Sequence, residues 1–218
     1  MQSQDHLLEQ LKEHRIISIL RGIPKDRAQN VADALQRGGI VFAEVTMNTV
    51  GALDIISQWR ESHGLNMLIG AGTVLDVDMA KEAVAAGAQY LVSPNVDEAV
   101  IQYARDRGIG VFPGAMTPTE IVAAWKAGAT AVKLFPMASL GIGYLKEIRA
   151  PLDQIPLVVT GGVRIDNIQE FLAAGSTGVG LGGSIANGEL IREGRYDQIE
   201  LNAATMVQAV KSYNASRP

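Results

Sequence analysis

The chain contains no cysteine, so it can form neither a disulfide nor a thiolate metal site. That fits a reducing compartment, and a cytoplasmic location is the expectation. Histidine is nearly as scarce. His6 and His14 fall in the N-terminal segment, His63 precedes Gly64 at a helix end, and none closes a strand. A zinc site of three side chains is therefore not expected. No apolar run approaches the roughly 18 residues that a spanning helix needs. Residues 1–10 are polar and lack the apolar stretch of a secretory signal. Basic residues form no aromatic-interleaved stripe, and the net charge is −4. Neither nucleic acid nor an anionic membrane is an expected partner. A small anionic substrate is compatible, because a local pocket can be positive on an acidic protein. Aromatic residues make up 5%, and Trp59 and Trp125 fall on helical segments as packing residues.

What the chain does have is apolar content. Its 218 residues are 47% hydrophobic and 19% charged, enough to bury a substantial core. The length suits one α/β domain over residues 1–218, and no composition break or Ser/Gly-rich linker divides it. Short apolar runs at 16–20, 40–45, 67–71, 90–93, 109–112, 130–135, 157–160 and 178–181 alternate with amphipathic segments. That is the pattern of repeated βα units on a parallel sheet, and eight such units close into a (β/α)8 TIM barrel. An open doubly wound sheet is the runner-up. It calls for a glycine fingerprint after the first strand, which Leu20-Arg21-Gly22-Ile23-Pro24 does not supply. A short N-terminal helix over 5–14 precedes the first run. A polar connection over 188–195 leads to a last helix over 197–213. Thr117-Pro118-Thr119-Glu120 carries a helix-start signal, as do Asp76 and Asp97.

An internal echo fixes the expected register. Gly39, Gly87, Gly128 and Gly175 each end a helical segment, and Glu44, Val92, Lys133 and Gly180 follow each by five residues. Glycine at a helix end supplies a positive φ. These are the second, fourth, sixth and eighth runs, and alternate barrel strands share an interior layer. One layer then holds Glu44, Val92, Lys133 and Gly180. The next holds Thr46, Pro94, Phe135 and Gly182, by the period of two.

A lysine and a glutamate in one buried layer are costly unless they pair or work. Two readings stand: a structural ion pair, or a reactive pair. A neutral lysine amine would attack a ketone to give an iminium, an electron sink for carbon–carbon cleavage, while the glutamate moves protons. Burial would lower the lysine pKa and Glu44 would raise it. Glycines close the third run (Gly70, Gly72) and follow the seventh (Gly161, Gly162, after Thr160) and the eighth (Gly182, Gly183, before Ser184). Either they only permit tight turns, or their N–H groups and Ser184 bind phosphate. Arg21 would clamp a carboxylate or form a rim ion pair. Thr73 would help hold a carboxylate. Carboxylates alone could still hold a divalent ion, but Glu44 is the only acid inside a strand, a poor fit to metal-dependent carbon–carbon cleavage.

At these positions the sequence resembles the 2-keto-3-deoxy-6-phosphogluconate and 4-hydroxy-2-oxoglutarate aldolases. The matching segments are Glu44-Val45-Thr46, Gly70-Ala71-Gly72-Thr73, Val92-Ser93-Pro94, Phe112-Pro113-Gly114, Val132-Lys133-Leu134-Phe135-Pro136, Thr160-Gly161-Gly162 and Leu181-Gly182-Gly183-Ser184. The resemblance implies a trimeric class I aldolase that needs no metal or other cofactor. It implies Lys133 as the Schiff-base lysine and Glu44 as the acid/base. Thr73 would hold the pyruvate carboxylate, Pro94 and Phe135 would line the pocket, and Gly161, Gly162, Gly183 and Ser184 would surround the phosphate. Asn48 stands where many gluconate-type members have arginine and Asn95 where most have glycine, and these two with the Ile19-Leu20-Arg21-Gly22 start are similar to the 6-phosphogalactonate type. Thr160 is similar to the gluconate type. The expected reaction is cleavage of 2-dehydro-3-deoxy-6-phosphogluconate to pyruvate and D-glyceraldehyde 3-phosphate. The galactonate epimer and 4-hydroxy-2-oxoglutarate are the alternative substrates. A sugar-phosphate epimerase would need no imine, so Lys133→Arg would spare it. A non-catalytic binding barrel would show ligand-dependent stabilisation without turnover.

Overall fold

The computed structural model describes residues 4–216. The polar start read over 1–10 therefore lies partly outside the described residues. Nine strands form one parallel sheet: β1 (Ile16–Leu20), β2 (Phe42–Thr46), β3 (Leu68–Gly72), β4 (Tyr90–Val92), β5 (Gly110–Phe112), β6 (Gly114–Ala115), β7 (Val132–Leu134), β8 (Leu157–Thr160) and β9 (Gly178–Leu181). β1 pairs with both β2 and β9, which joins the first and last units. The ring closes through β5 and β6, the two halves of one barrel strand. β5 pairs with β4 and β6 pairs with β7. Pro113 separates the halves because it has no N–H to donate. Its carbonyl still accepts from the Lys133 N–H at 2.9 Å. The fold is thus the expected (β/α)8 barrel, with the fifth apolar run extended past its proline.

Helices α1 (Gln4–His14), α2 (Lys25–Arg37), α3 (Ala52–His63), α4 (Val77–Ala85), α5 (Glu98–Asp106), α6 (Pro118–Ala127), α7 (Met137–Arg149), α8 (Ile168–Ala173), α9 (Gly188–Glu193) and α10 (Tyr196–Ala215) complete the described chain. No helix among the described residues is long and apolar enough to cross a membrane. The start signals act as read. Asp76 and Asp97 accept from backbone N–H groups at the starts of α4 and α5, and Thr117 and Glu120 form a reciprocal capping box. Segment 188–195 differs from expectation. It contains α9, because the Asn187 side chain accepts from Glu189 N and Leu190 N and nucleates a turn that Gly194 ends at φ 69°.

Two apolar cores follow from strand alternation. The outer one lies between sheet and helices, around residues such as Trp59, Leu91, Val111, Leu134 and Val159. The inner one fills the barrel with Ile17, Phe42, Leu68, Tyr90, Phe112 and Val158, and Leu7 and Leu11 of α1 plug its lower end. Glycine makes the plug possible. A Cβ at Gly110 would lie 1.9 Å from Leu7, and one at Gly178 would lie 3.0 Å from Leu11.

Candidate active site

The four helix-ending glycines share one conformation, with φ of 84° at Gly39, 101° at Gly87, 103° at Gly128 and 100° at Gly175. Common exits give common register. Glu44, Val92, Lys133 and Gly180 all line a single small chamber in the barrel, walled otherwise by Ile17, Ile19, Phe112, Val158 and Thr160. The chamber is about 10 Å³, room for roughly one water. Glu44 and Lys133 are 1% and 8% exposed, so both charges would be desolvated.

Desolvation is the largest influence on the pKa of each. Burial pushes the Lys133 ammonium down from its ordinary value; Glu44 opposes this and Arg21 adds to it. Burial pushes Glu44 up, against the pull of Lys133 and Arg21. The competition at the lysine that the sequence left open goes to burial. Lys133 Nζ also lies 5.0 Å from the centre of the Phe135 ring at the mouth. Room for the glutamate comes from β3. A Cβ at Gly72 would sit 2.4 Å from Glu44 Oε1, and a Cβ at Gly70 would sit 2.3 Å from the Tyr90 ring. Glu44 Oε2 has no hydrogen-bond partner among the described residues.

Above the chamber, Arg21 donates to Asn48 Oδ1 at 2.9 Å and Thr73 Oγ1 at 3.4 Å. Nothing in the spacing of Arg21 and Asn48 along the chain signals that they bond to each other. Gly22 N donates to Thr49 Oγ1 at 2.9 Å, and Thr49 Oγ1 lies 3.1 Å from Thr46 Oγ1, which fixes the start of this loop. Thr73 has φ 59°, a left-handed backbone that a β-branched residue rarely adopts. Of the second expected layer, Thr46 is buried, Pro94 and Gly182 are half-buried, and Phe135 is 36% exposed. Pro94 packs on Gly114, where a Cβ would meet its carbonyl at 2.4 Å.

A second, open cavity of about 430 Å³ adjoins the chamber. It is walled by Gly161, Gly162, Val163, Arg164, Gly182, Gly183 and Ser184, and it shares Ile19, Thr160 and Gly180 with the chamber. Gly161 and Gly162 take φ of 100° and 74° as the chain leaves β8. Gly180 has no room for a side chain, since its Cβ would lie 2.5 Å from Thr160 Oγ1. The structure thus places Glu44, Lys133, Thr160 and Gly180 on the chamber, and Gly161, Gly162, Gly182, Gly183 and Ser184 on the adjoining cavity, while Arg21 and Thr73 bond to each other at the rim. Arg164 was missed. It sits in a surface loop and carries no motif.

The KDPG and KHG aldolase family model matches residues 7–201. The chain is 35% identical over 199 residues to a 2-dehydro-3-deoxy-6-phosphogalactonate aldolase of Escherichia coli, covering 91% of this chain and 94% of the relative. It is 30% identical over 207 residues to a 2-dehydro-3-deoxy-phosphogluconate aldolase of Haemophilus influenzae, covering 94% and 97%. Among solved structures, a native KDPGal structure superimposes with TM-score 0.86 at 32% identity, covering 92% of this chain and 96% of the other. A KDPG aldolase of Legionella pneumophila, with pyruvate captured at low pH as a covalent carbinolamine, gives TM-score 0.86 at 26% identity over 94% and 98%. With one family model spanning nearly the whole barrel, this chain belongs to the KDPG and KHG aldolase family and is a class I aldolase, a carbon–carbon lyase.

Proposed function

We propose that the protein cleaves 2-dehydro-3-deoxy-6-phosphogluconate to pyruvate and D-glyceraldehyde 3-phosphate through a Schiff base on Lys133. The observation that carries this reading is the linkage of the two cavities. A keto end at Lys133 and Glu44 would leave a substrate's far end beside the glycine turns. The neutral Lys133 amine adds to the C2 carbonyl, and Glu44 supplies the proton with which the carbinolamine loses water. Glu44 then takes the C4 hydroxyl proton. The C3–C4 bond breaks, its electrons pass into the iminium to give an enamine, and the aldehyde leaves. Glu44 returns the proton to C3, and hydrolysis frees pyruvate and Lys133. The carbinolamine in the Legionella relative supports the covalent route. Thr73, Arg21 and nearby N–H groups hold the carboxylate, Pro94 and Phe135 wall the pocket, and Gly161, Gly162, Gly183 and Ser184 surround the phosphate. The family resemblance further carries a homotrimer that acts in the cytoplasm, in the Entner–Doudoroff pathway, with no metal or organic cofactor.

A second reading, cleavage of the galactonate epimer, is favoured by one observation. Asn48, where many gluconate-type members have arginine, accepts from Arg21 at the pocket rim. One assay separates the two. Pyruvate release is measured on both epimers, with Lys133→Ala as control, and borohydride is added with pyruvate to trap the imine. Turnover with a marked epimer preference, and an adduct on Lys133, are expected. Active protein that yields no adduct would sink the Schiff-base route.

A further inference from the structure

We propose that Arg164 is a specificity-determining residue that grips the dianionic end of the substrate, and that Asp166 holds it in reserve. This rests on the aldolase reading above. A phosphate monoester carries close to two negative charges near neutral pH. Glycine N–H groups and the Ser184 hydroxyl offer only dipoles to it. Among the residues that wall the open cavity, Arg164 is the sole charged one. Its planar fork matches two phosphate oxygens at once.

The loop is built so that the backbone stays and the side chain moves. Val163 is buried in the outer core. Arg164 N donates to Asn167 Oδ1 at 2.8 Å, and Asn167 Nδ2 donates to the Gly162 carbonyl at 3.0 Å. These bonds tie Arg164 to the second glycine of the turn. Among the described residues the guanidinium instead pairs with Asp166 alone, through Nε at 3.1 Å and Nη2 at 3.1 Å. Both side chains are more than 60% exposed. An exposed ion pair of this kind holds weakly, and a dianion in the cavity would draw the guanidinium away from one carboxylate. Asp166 therefore weakens binding of every anion, and the loss is recovered most fully by a ligand with two charges. The pair thus selects phosphorylated acids over their unphosphorylated counterparts.

The test is the ratio of kcat/KM for the phosphorylated acid to that for the same acid without phosphate. Arg164→Gln should lower the ratio roughly tenfold to a hundredfold, through KM of the phosphorylated acid. Asp166→Asn should move that KM in the opposite direction, which a merely structural loop would not do. An unchanged ratio in Arg164→Gln overturns the proposal. If the unmodified protein cleaved neither acid, the aldolase reading would fall by itself. Arg164 would then be judged by calorimetric titration with inorganic phosphate. Weaker binding by Arg164→Gln supports the assignment, and equal affinity overturns it.

Discussion

Lys133 and Glu44 both lose hydration inside the barrel, and burial moves each toward its neutral form. For Glu44 the folded-state pKa lies above the unfolded value of 4.5. Its contribution to stability is therefore fully present below pH 4.5 and is lost as pH rises through the folded value. Glutamine at this position does not titrate. Glu44→Gln should thus raise Tm at pH 8 and change it little at pH 4, while abolishing turnover. Thermal unfolding of both proteins at the two pH values checks this, and an equal difference at both would mean that the carboxylate is not strained by burial. Lys133 runs the other way. Its folded value lies below 10.5, so its contribution is present above pH 10.5 and fades as pH falls through the folded value. A lowered pKa enlarges the neutral fraction that a Schiff-base nucleophile needs, so the stability lost by burying the lysine serves the chemistry.

At the scale of elements, glycine placement explains more than propensity does. β3 carries Gly70 and Gly72 on its inward face, which admit the Tyr90 ring and the Glu44 carboxylate. β5 and β9 carry Gly110 and Gly178, where α1 seats Leu7 and Leu11. The N-terminal helix is therefore the floor of the barrel, and both leucines are buried. Leu11→Ala should cost about 2–5 kcal/mol, read from urea unfolding, because the rigid ring of strands cannot collapse onto the void. A cost near zero would mean that α1 only rests on the barrel. Helix starts were legible in the sequence because capping is local: Thr117 needs only its neighbour three residues on. The break at Pro113 was not legible as a change of partner, since a proline says that a ladder bond is missing but not which neighbour replaces it. Nor was α9, whose six residues are polar enough to read as a connection.

For the whole molecule, the parallel order and the pairing of β1 with β9 bring residues from opposite ends of the chain to one mouth. Arg21 and Ser184 stand at the ends of the first and last strands for this reason. The expected trimer belongs to this scale as well. Light scattering of the purified protein should give three times the chain mass at micromolar concentration, and a monomer mass with full activity would show that each barrel is complete by itself.

The sequence alone determined the βα repeat, the layer that holds Glu44 with Lys133, and the glycine turns, because each rests on spacing along a few residues. Four helices that end on glycine at the same distance from the interior position were enough to set the register. Tertiary structure decided the rest. Whether burial or Glu44 governs Lys133 depends on how much water the closed barrel excludes. The Arg21–Asn48 bond, the junction of the two cavities at Thr160 and the place of Arg164 depend on loops from distant strands meeting. Such meetings leave no periodic trace, since they are set by closure of the ring and not by any local preference of the chain.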